Sequence, residues 1–415
     1  MKTRLFISLC AMLMSFAAIA QETSGSVSIL DRVKKFADGT SVQGVDTNYI
    51  KVPERPWQVS IKSRVAQTDL QMHSSVDGAE LLDGLGAMPL VMGVGDMATS
   101  PRIKTRVSTA MGVKVGYKGI SLSYSFPVSG DKEQNFTFET TGNQYSVNLR
   151  WHKFKTEKAK VRYVGAAKIR DVESYDEQTG DITFTDWSEP ISWAETDDEK
   201  FYSPVTIQTL IFDGFYIFNH RKFSYAAAYN QETVQVRSAG SPIAGLMGYY
   251  ADFKYNQDRN AGLIYAMDNI GRLRHYQLGV GGGYAYNYVP AKGWLIHGMV
   301  MPMLTLLNRT KVNTYMSNFK EVSQNHLLEW AMALAEDENA EFPESPDEYK
   351  VESTGSNSHS NRLALNFTAR ASVTYNWDRY FVNVNGQFNN FNYRHSAMHG
   401  HLNDWYINAS VGVRF

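Results

Sequence analysis

Residues 361–415 carry three runs in which every second side chain is apolar or aromatic. Leu363, Leu365, Phe367, Ala369, Ala371, Val373, Tyr375 and Trp377 alternate with Asn366, Thr368, Arg370, Ser372, Thr374 and Asn376. Beyond Asp378 and Arg379, one face carries Tyr380, Val382, Val384 and Phe388, and the other Asn383, Asn385, Gln387 and Asn389. The chain closes on Trp405, Ile407, Ala409, Val411, Val413 and Phe415, set against Asn408, Ser410, Gly412 and Arg414. A period of two is that of a strand, whose successive side chains leave opposite faces. Length then discriminates. A soluble strand usually has about five or six residues, whereas a tilted bilayer crossing takes about nine to eleven. Long runs with one apolar face, one polar face and aromatic ends predict an all-β chain, a transmembrane antiparallel up-and-down β-barrel.

The same alternation recurs upstream. Strands are predicted over 57–65, 107–117, 120–126, 144–152 and, more weakly, 161–170. A hairpin is predicted from 206–218 and 223–232, turning at Asn219, His220 and Arg221. Further strands follow over 242–253, 273–288 and 294–307, the last apolar on both faces, so that its inner face cannot be assigned from the pattern. Both termini on one side of a membrane require an even number, which places one more strand within 258–268 and gives about 12–14 strands in all. Short turns alternate with long loops at 71–101, 171–202 and 309–360, as periplasmic and extracellular ends do. The second and third loops are acidic, and 316–335 has the spacing of a helix.

The start of the chain adds a compartment. Lys2 and Arg4, an apolar stretch and Ala18-Ile19-Ala20 before Gln21 read as a secretory signal over 1–20. Residues 21–56 form a periplasmic lead and 57–415 the barrel, with Pro53 and Pro56 holding the entry extended. Cys10 is the only cysteine of 415 residues, so a processed chain has no thiol for a disulfide, metal or nucleophile. A mean hydropathy of -0.35 with 13% aromatic residues suits strands with one wet face. A net charge of -1 gives no support for nucleic-acid binding. Outer-membrane lipids, lipopolysaccharide and, through the terminal strand ending in Phe415, the barrel-assembly machinery are the expected partners. No cofactor is called for.

Candidate chemistry is concentrated on the inward parity. Lys62, Arg64, Lys104, Arg106, Lys114, Arg150, Arg162, Lys168, Arg370 and Arg414 fall there, with Glu232 the main acid and Asp213 uncertain. Such a set makes either a cationic pore that draws anions or a closed core in which the cations pair with acids from an inward-folded segment. His395, His399 and His401 have ligand chemistry for a divalent metal, though no cysteine or well-spaced acid completes the set beyond nearby Asp404. A hydrolase would need Ser121 or Ser146 beside His152 or His297, a juxtaposition parity makes common by chance. The glycines at 279 and 281–283 lack the Lys-Ser/Thr and helix of a phosphate loop.

The string FSYAAAYNQETVQVRSAGSPIAG from Phe223, with VDTNYI from Val45 and GYAYNYVPAKGW from Gly283, resembles an uncharacterised family of Gram-negative outer-membrane proteins, domain of unknown function 4421. The resemblance implies a barrel and supplies no catalytic residues. Its small residues Ala226, Ala228, Ser238, Ala239 and Gly240 permit a close approach to the wall, by a plug, by a substrate or by simple strand crowding. The expected function is a channel or transport-type barrel for a small anionic or amphipathic solute. The alternatives are a non-transporting structural or surface-interaction barrel and, third, a lipid-modifying enzyme.

Overall fold

The computed structural model describes residues 44–76, 92–95, 97–104, 107–130, 134–142, 144–176, 178–179, 181–254, 260–261, 264, 269–318, 321–322, 325–326, 348–361, 363–395 and 398–415. Residues 1–43, among them the stretch read from the sequence as a secretory signal, lie outside these. Among the described residues, 12 strands close a ring. They are β1 (Trp57–Val76), β2 (Ser108–Tyr117), β3 (Ile120–Ser129), β4 (Gln134–Thr141), β5 (Tyr145–Ile169) and β6 (Ile191–Ile217). Then come β7 (Ala239–Lys254), β8 (Ile270–Tyr288), β9 (Trp294–Ser317), β10 (Leu365–Trp377), β11 (Tyr380–His395) and β12 (Met398–Arg414). Each pairs antiparallel with the next, and β12 returns to β1 through registers such as Ile407 with Val65. The chain enters and leaves at one end, where Trp57 and Phe415 exchange backbone hydrogen bonds of 3.1 and 2.9 Å. An even strand number is the topological consequence.

The burial pattern is that of a soluble sheet turned inside out. On β10, Leu365 and Val373 are exposed while Thr368, Arg370 and Thr374 on the other face are buried. On β12, Val411 is 59% exposed, whereas on β11 Asn383 and Asn389 are fully buried. Water would not tolerate that apolar outer face, but hydrocarbon does. Val373→Arg, near the middle of β10, is therefore expected to destabilise the barrel by about 2–4 kcal/mol in phospholipid vesicles. Denaturant titration there would show it, and an unchanged midpoint would rule out a lipid contact at Val373. At the short-turn end, Trp294, Tyr375, Trp377 and Tyr380 form a chain of rings with centroids 4.8–5.9 Å apart, an interfacial girdle.

The strand inventory differs from the sequence pattern in three places. Residues 161–170 are not a separate return strand but the far half of β5, which runs for 25 residues. β4, over Gln134–Thr141, is a ring strand that the pattern passed over. Residues 223–232, expected as a strand, contain instead the short helix α1 (Ala226–Tyr229), because the Ala-Ala-Ala run can be buried on every side. Their combined effect makes an additional strand in 258–268 unnecessary. Most of that segment lies outside the described residues, and Ala261 and Ile264 are helical. For the expected helix at 316–335, residues 321–322 and 325–326 are helical and most of the remainder lies outside the described residues.

At the long-loop end the strands outrun any bilayer. β6 has 27 residues and β9 has 24, against about nine to eleven for a crossing. Much of the predicted loops is therefore sheet. Met97–Lys104 joins β1 to β5 above the short strands β2–β4, and Val351–Asn361 pairs with the far part of β9.

Candidate functional site

The interior of the ring has two unlike halves. β6, β7 and β9 direct Ile207, Ile211, Phe215, Ile243, Met247, Met299, Met301 and Met303 inward, all at most 4% exposed. This settles the face of β9 that the pattern left open: Leu295 and the three methionines point in, while Ile296, Val300 and Leu304 point out. The opposite half, from β1–β5 and β10–β12, is lined by serine, threonine, asparagine and charged groups.

Among the described residues, several contacts cross the interior between strands that are not neighbours. Arg370 on β10 holds Asp213 on β6 at 2.8 Å, with both side chains 3% exposed. Arg150 on β5 holds Asp404 on β12 at 2.6 Å. Tyr249 on β7 stacks on Phe391 of β11 with centroids 4.1 Å apart. In the ring order, β6 and β10 stand four places apart, as do β7 and β11. Arg64 and Arg150 both lie over the ring of Tyr406, at 4.1 and 4.5 Å. A pair that spans the ring occupies the space a channel would need.

The short-turn end is filled by residues 218–238, between β6 and β7. They enter the ring as a plug tied to the lead: Asp46 N–H donates to Arg221 O (2.8 Å), and Ile50–Lys51 pairs with Val234–Gln235. Gln235 knots the plug, since its Oε1 accepts from Ser224 N–H (2.9 Å) and Asn287 Nδ2 (3.0 Å). The carbonyls that a helix C-terminus leaves over are taken by donors of the wall. Asn383 donates to Ala228 O, Lys114 to Tyr229 O, Gln58 to Asn230 O and Arg414 to Gln231 O. Gln231 ends the helix with φ of +58°. Tyr225 reaches Arg370 through its hydroxyl and stacks on Tyr229, centroids 4.6 Å apart. Ala226 and Ala228 are thus the plug itself, small so that α1 can press against the wall.

The sequence candidates divide accordingly. Lys62, Arg64, Lys114, Arg150, Arg370 and Arg414 lie on the inner face. Lys114 pairs with Glu139 at 2.8 Å, an acid hidden in the strand that the pattern passed over. Lys104, Arg162 and Lys168 are exposed, so they do not join them. For the last two, the inward parity has switched to Val161 and Ala167, because β6 breaks register between Lys200 and Val205 opposite Lys158 and Thr156. Arg106 lies outside the described residues. His399 stacks on His73 of β1, centroids 5.2 Å apart, with His401 two residues on; the side chain of His395 lies outside the described residues. Among the described residues, no group of three His, Cys, Asp or Glu is placed to hold a metal. Ser121 donates to Glu139 (3.1 Å), Ser146 bonds Thr141, and His297 bonds Asn287 (2.7 Å); His152 packs on Phe154. None of these contacts is a Ser–His pair.

Glu232 sits on the plug rather than on a strand, near the turn at Gly119, whose N–H donates to it. Burial raises its pKa to about 8, with Lys114, Arg414 and the Gly119 N–H opposing the shift and Glu139 reinforcing it. The folded chain then binds this proton more tightly than the unfolded chain, so Glu232 makes stability fall as pH rises from about 4.5 to about 8. Glu232→Gln is expected to flatten that slope in thermal unfolding followed in detergent. An identical slope would mean Glu232 titrates normally.

The family described as Domain of unknown function (DUF4421) matches residues 45–415. No curated protein sequence matches the chain. Among solved structures, the chain is similar to the outer membrane protease OmpT from Escherichia coli, at TM-score 0.36 and 8% identity, over 88% of this chain and 97% of that one. It is also similar to the outer membrane protein OprG from Pseudomonas aeruginosa, at TM-score 0.27 and 10% identity, over 90% and 99%. The toluene transporter TodX of P. putida gives TM-score 0.23 and 7% identity, over 88% and 91%.

Proposed function

This chain belongs to the DUF4421 family, and we propose that it is a closed, non-transporting barrel of the outer membrane, acting through the strands and loops it raises beyond the lipid. The observation that carries this reading is the Arg370–Asp213 pair, which joins strands across the interior where a solute would have to pass. The Arg150–Asp404 pair and the Tyr249–Phe391 stack support it at other points of the ring. Both side chains are 3% exposed, so parting them would leave two charges away from water, which keeps the pair closed across the interior. The sheet beyond the lipid supplies surface for contact: Arg170 stacks on Phe184 and Trp187 at 4.2 and 4.4 Å, bracing one edge of it.

Recording from single barrels in planar bilayers tests the reading. The wild type is expected to be silent over a wide range of voltage, and a steady anion-selective current would overturn it in favour of a channel for a small anionic or amphipathic solute.

A further inference from the structure

On one side of the ring the outward apolar belt gives way abruptly to positive charge. The outer face of β8 is aromatic, aliphatic or glycine from Tyr288 to Tyr276, and then presents Arg274 and Arg272. That of β9 is apolar from Trp294 to Leu307, and then presents Arg309 and Lys311. Cross-strand pairing sets these residues in rows. The row at the edge of the belt is Trp151, Leu210, Tyr250, Tyr276 and Arg309, on β5 to β9 in turn. Toward the long-loop end the next row is Lys153, Gln208, Asp252, Arg274 and Lys311, and the one after it Lys155, Thr206, Lys254, Arg272 and Asn313. Seven cations thus share the face with the single carboxylate of Asp252, and Glu157 is the next acid along β5. Arg272 takes Asp252 through bonds of 2.8 and 2.6 Å. Arg274 donates to Asn313 (2.9 Å) and Arg309 to Ser358 (2.7 Å), neutral partners that aim a guanidinium without cancelling its charge. The Nε of Arg274 is buried and makes no hydrogen bond. Elsewhere the belt ends without charge: beyond Phe388 and Trp405, β11 and β12 present Asn390 and Asn403, bonded to each other at 2.7 Å. Leaving the lipid does not by itself require cations.

We infer that the outer face of β5–β9 binds a phosphorylated glycolipid of the outer leaflet, with its acyl chains along the apolar belt and its phosphates on the basic rows. The occupant must be amphipathic, because the cations border directly on a strip that lipid covers. A second copy of this chain would set cations against cations. Strands about 4.8 Å apart make a patch five strands across about 20 Å wide, more than one phosphate covers. A sugar headgroup with a phosphate at each end reaches both flanks. Gln208, Thr206 and Asn313, set among the cations, offer its hydroxyls neutral hydrogen bonds. Guanidinium forks match phosphate oxygens in pairs, which suits Arg274 and Arg309 to the headgroup's charge. The long-loop end places the site in the outer leaflet. This inference rests on the barrel standing in the outer membrane and is indifferent to whether the ring is closed.

The test uses the full mature barrel refolded in a nonionic detergent. It is offered lipid A (a disaccharide with two phosphates and several acyl chains), the same lipid stripped of its phosphates, or phosphatidylglycerol, and bound lipid is measured by native mass spectrometry. Lipid A is expected to remain on the barrel under conditions that remove the other two. The double variant Arg274→Gln, Lys311→Gln should bind lipid A about tenfold more weakly, the effect of losing two solvent-screened ion pairs. Lys292→Gln, exposed at a short turn on the opposite end, should bind as the wild type does. If the first double variant does not fold, Lys153→Gln, Lys254→Gln serves, with the same loss expected. Equal retention of the three lipids would overturn the inference, as would wild-type affinity in whichever double variant folds. Release of lipid A by excess inorganic phosphate would also overturn it, since the site would then recognise the free anion rather than the lipid. Bilayer recording reports separately on whether the barrel is closed, so either reading can fail without the other.

Discussion

Arg370→Ala is expected to lower the stability of the barrel by about 3–5 kcal/mol, the usual consequence of removing one member of a fully buried ion pair. Asp213 would be left at 2% exposure with its partner gone, and either its charge or its proton uptake costs stability. The loss has a second part. The same guanidinium reaches the Tyr225 hydroxyl and lies 4.7 Å over the ring of Phe215, so the plug and the wall of β6 lose an anchor together. The double variant Asp213→Asn, Arg370→Met is expected to recover much of the stability, because it removes both charges and keeps an apolar side chain of similar length. Denaturant midpoints for the wild type, both single variants and the double variant in one vesicle preparation measure this. Additive losses would show that the two groups do not interact across the interior.

Ala228→Phe is expected to expel the plug and leave the ring intact. Ala228 is fully buried and its carbonyl is held by Asn383, so a phenyl ring has nowhere to go without moving α1. Overpacking of this kind costs about 1–3 kcal/mol. The ring ladder is closed without residues 218–238, so the strain is relieved by letting that segment out. Arg221, Lys222 and Arg237, exposed at its two ends, become substrates for trypsin. Cleavage within 218–238 should accelerate roughly tenfold or more, since protease attack follows the open population when reclosing is fast. The barrel should keep its heat-dependent electrophoretic mobility and, with its cross-ring pairs in place, should remain non-conducting. A variant that conducts would assign the seal to the plug alone.

The belt that faces lipid was legible from the chain. Phe367, Val373, Val384, Ile407 and Val411 alternate with polar residues, and the structure exposes every one of them. That follows from geometry local to each strand, where a side chain's face depends on odd or even position. The long-strand signal, the even topology and the aromatic ends follow from the same local rule. It failed where parity is not conserved. Arg162 and Lys168 were counted inward, yet the register break opposite Thr156 and Lys158 turned that half of β5 over.

The candidate site was legible only as an inventory. Lys62, Arg64, Lys114, Arg150 and Arg370 could be read as inward cations, and a closed polar core stood as one of two outcomes. The acids that pair with them could not be chosen. Glu139 lies in a strand whose apolar face offers little more than Phe136 and Phe138, and Asp404 is 254 residues from Arg150. The plug shows the limit most clearly, because Phe223 to Glu232 carries enough alternation to pass for a strand and Ala226 to Ala228 enough helical propensity not to be one. What decided between them was the row of donors on Asn383, Lys114, Gln58 and Arg414, which takes the carbonyls of residues 228–231. The amino-acid order determined which face of each strand is apolar, since that is written within a few residues. Only the closed ring decided whether its polar face encloses water, ions or other side chains, because that depends on which groups from distant strands come within hydrogen-bonding distance.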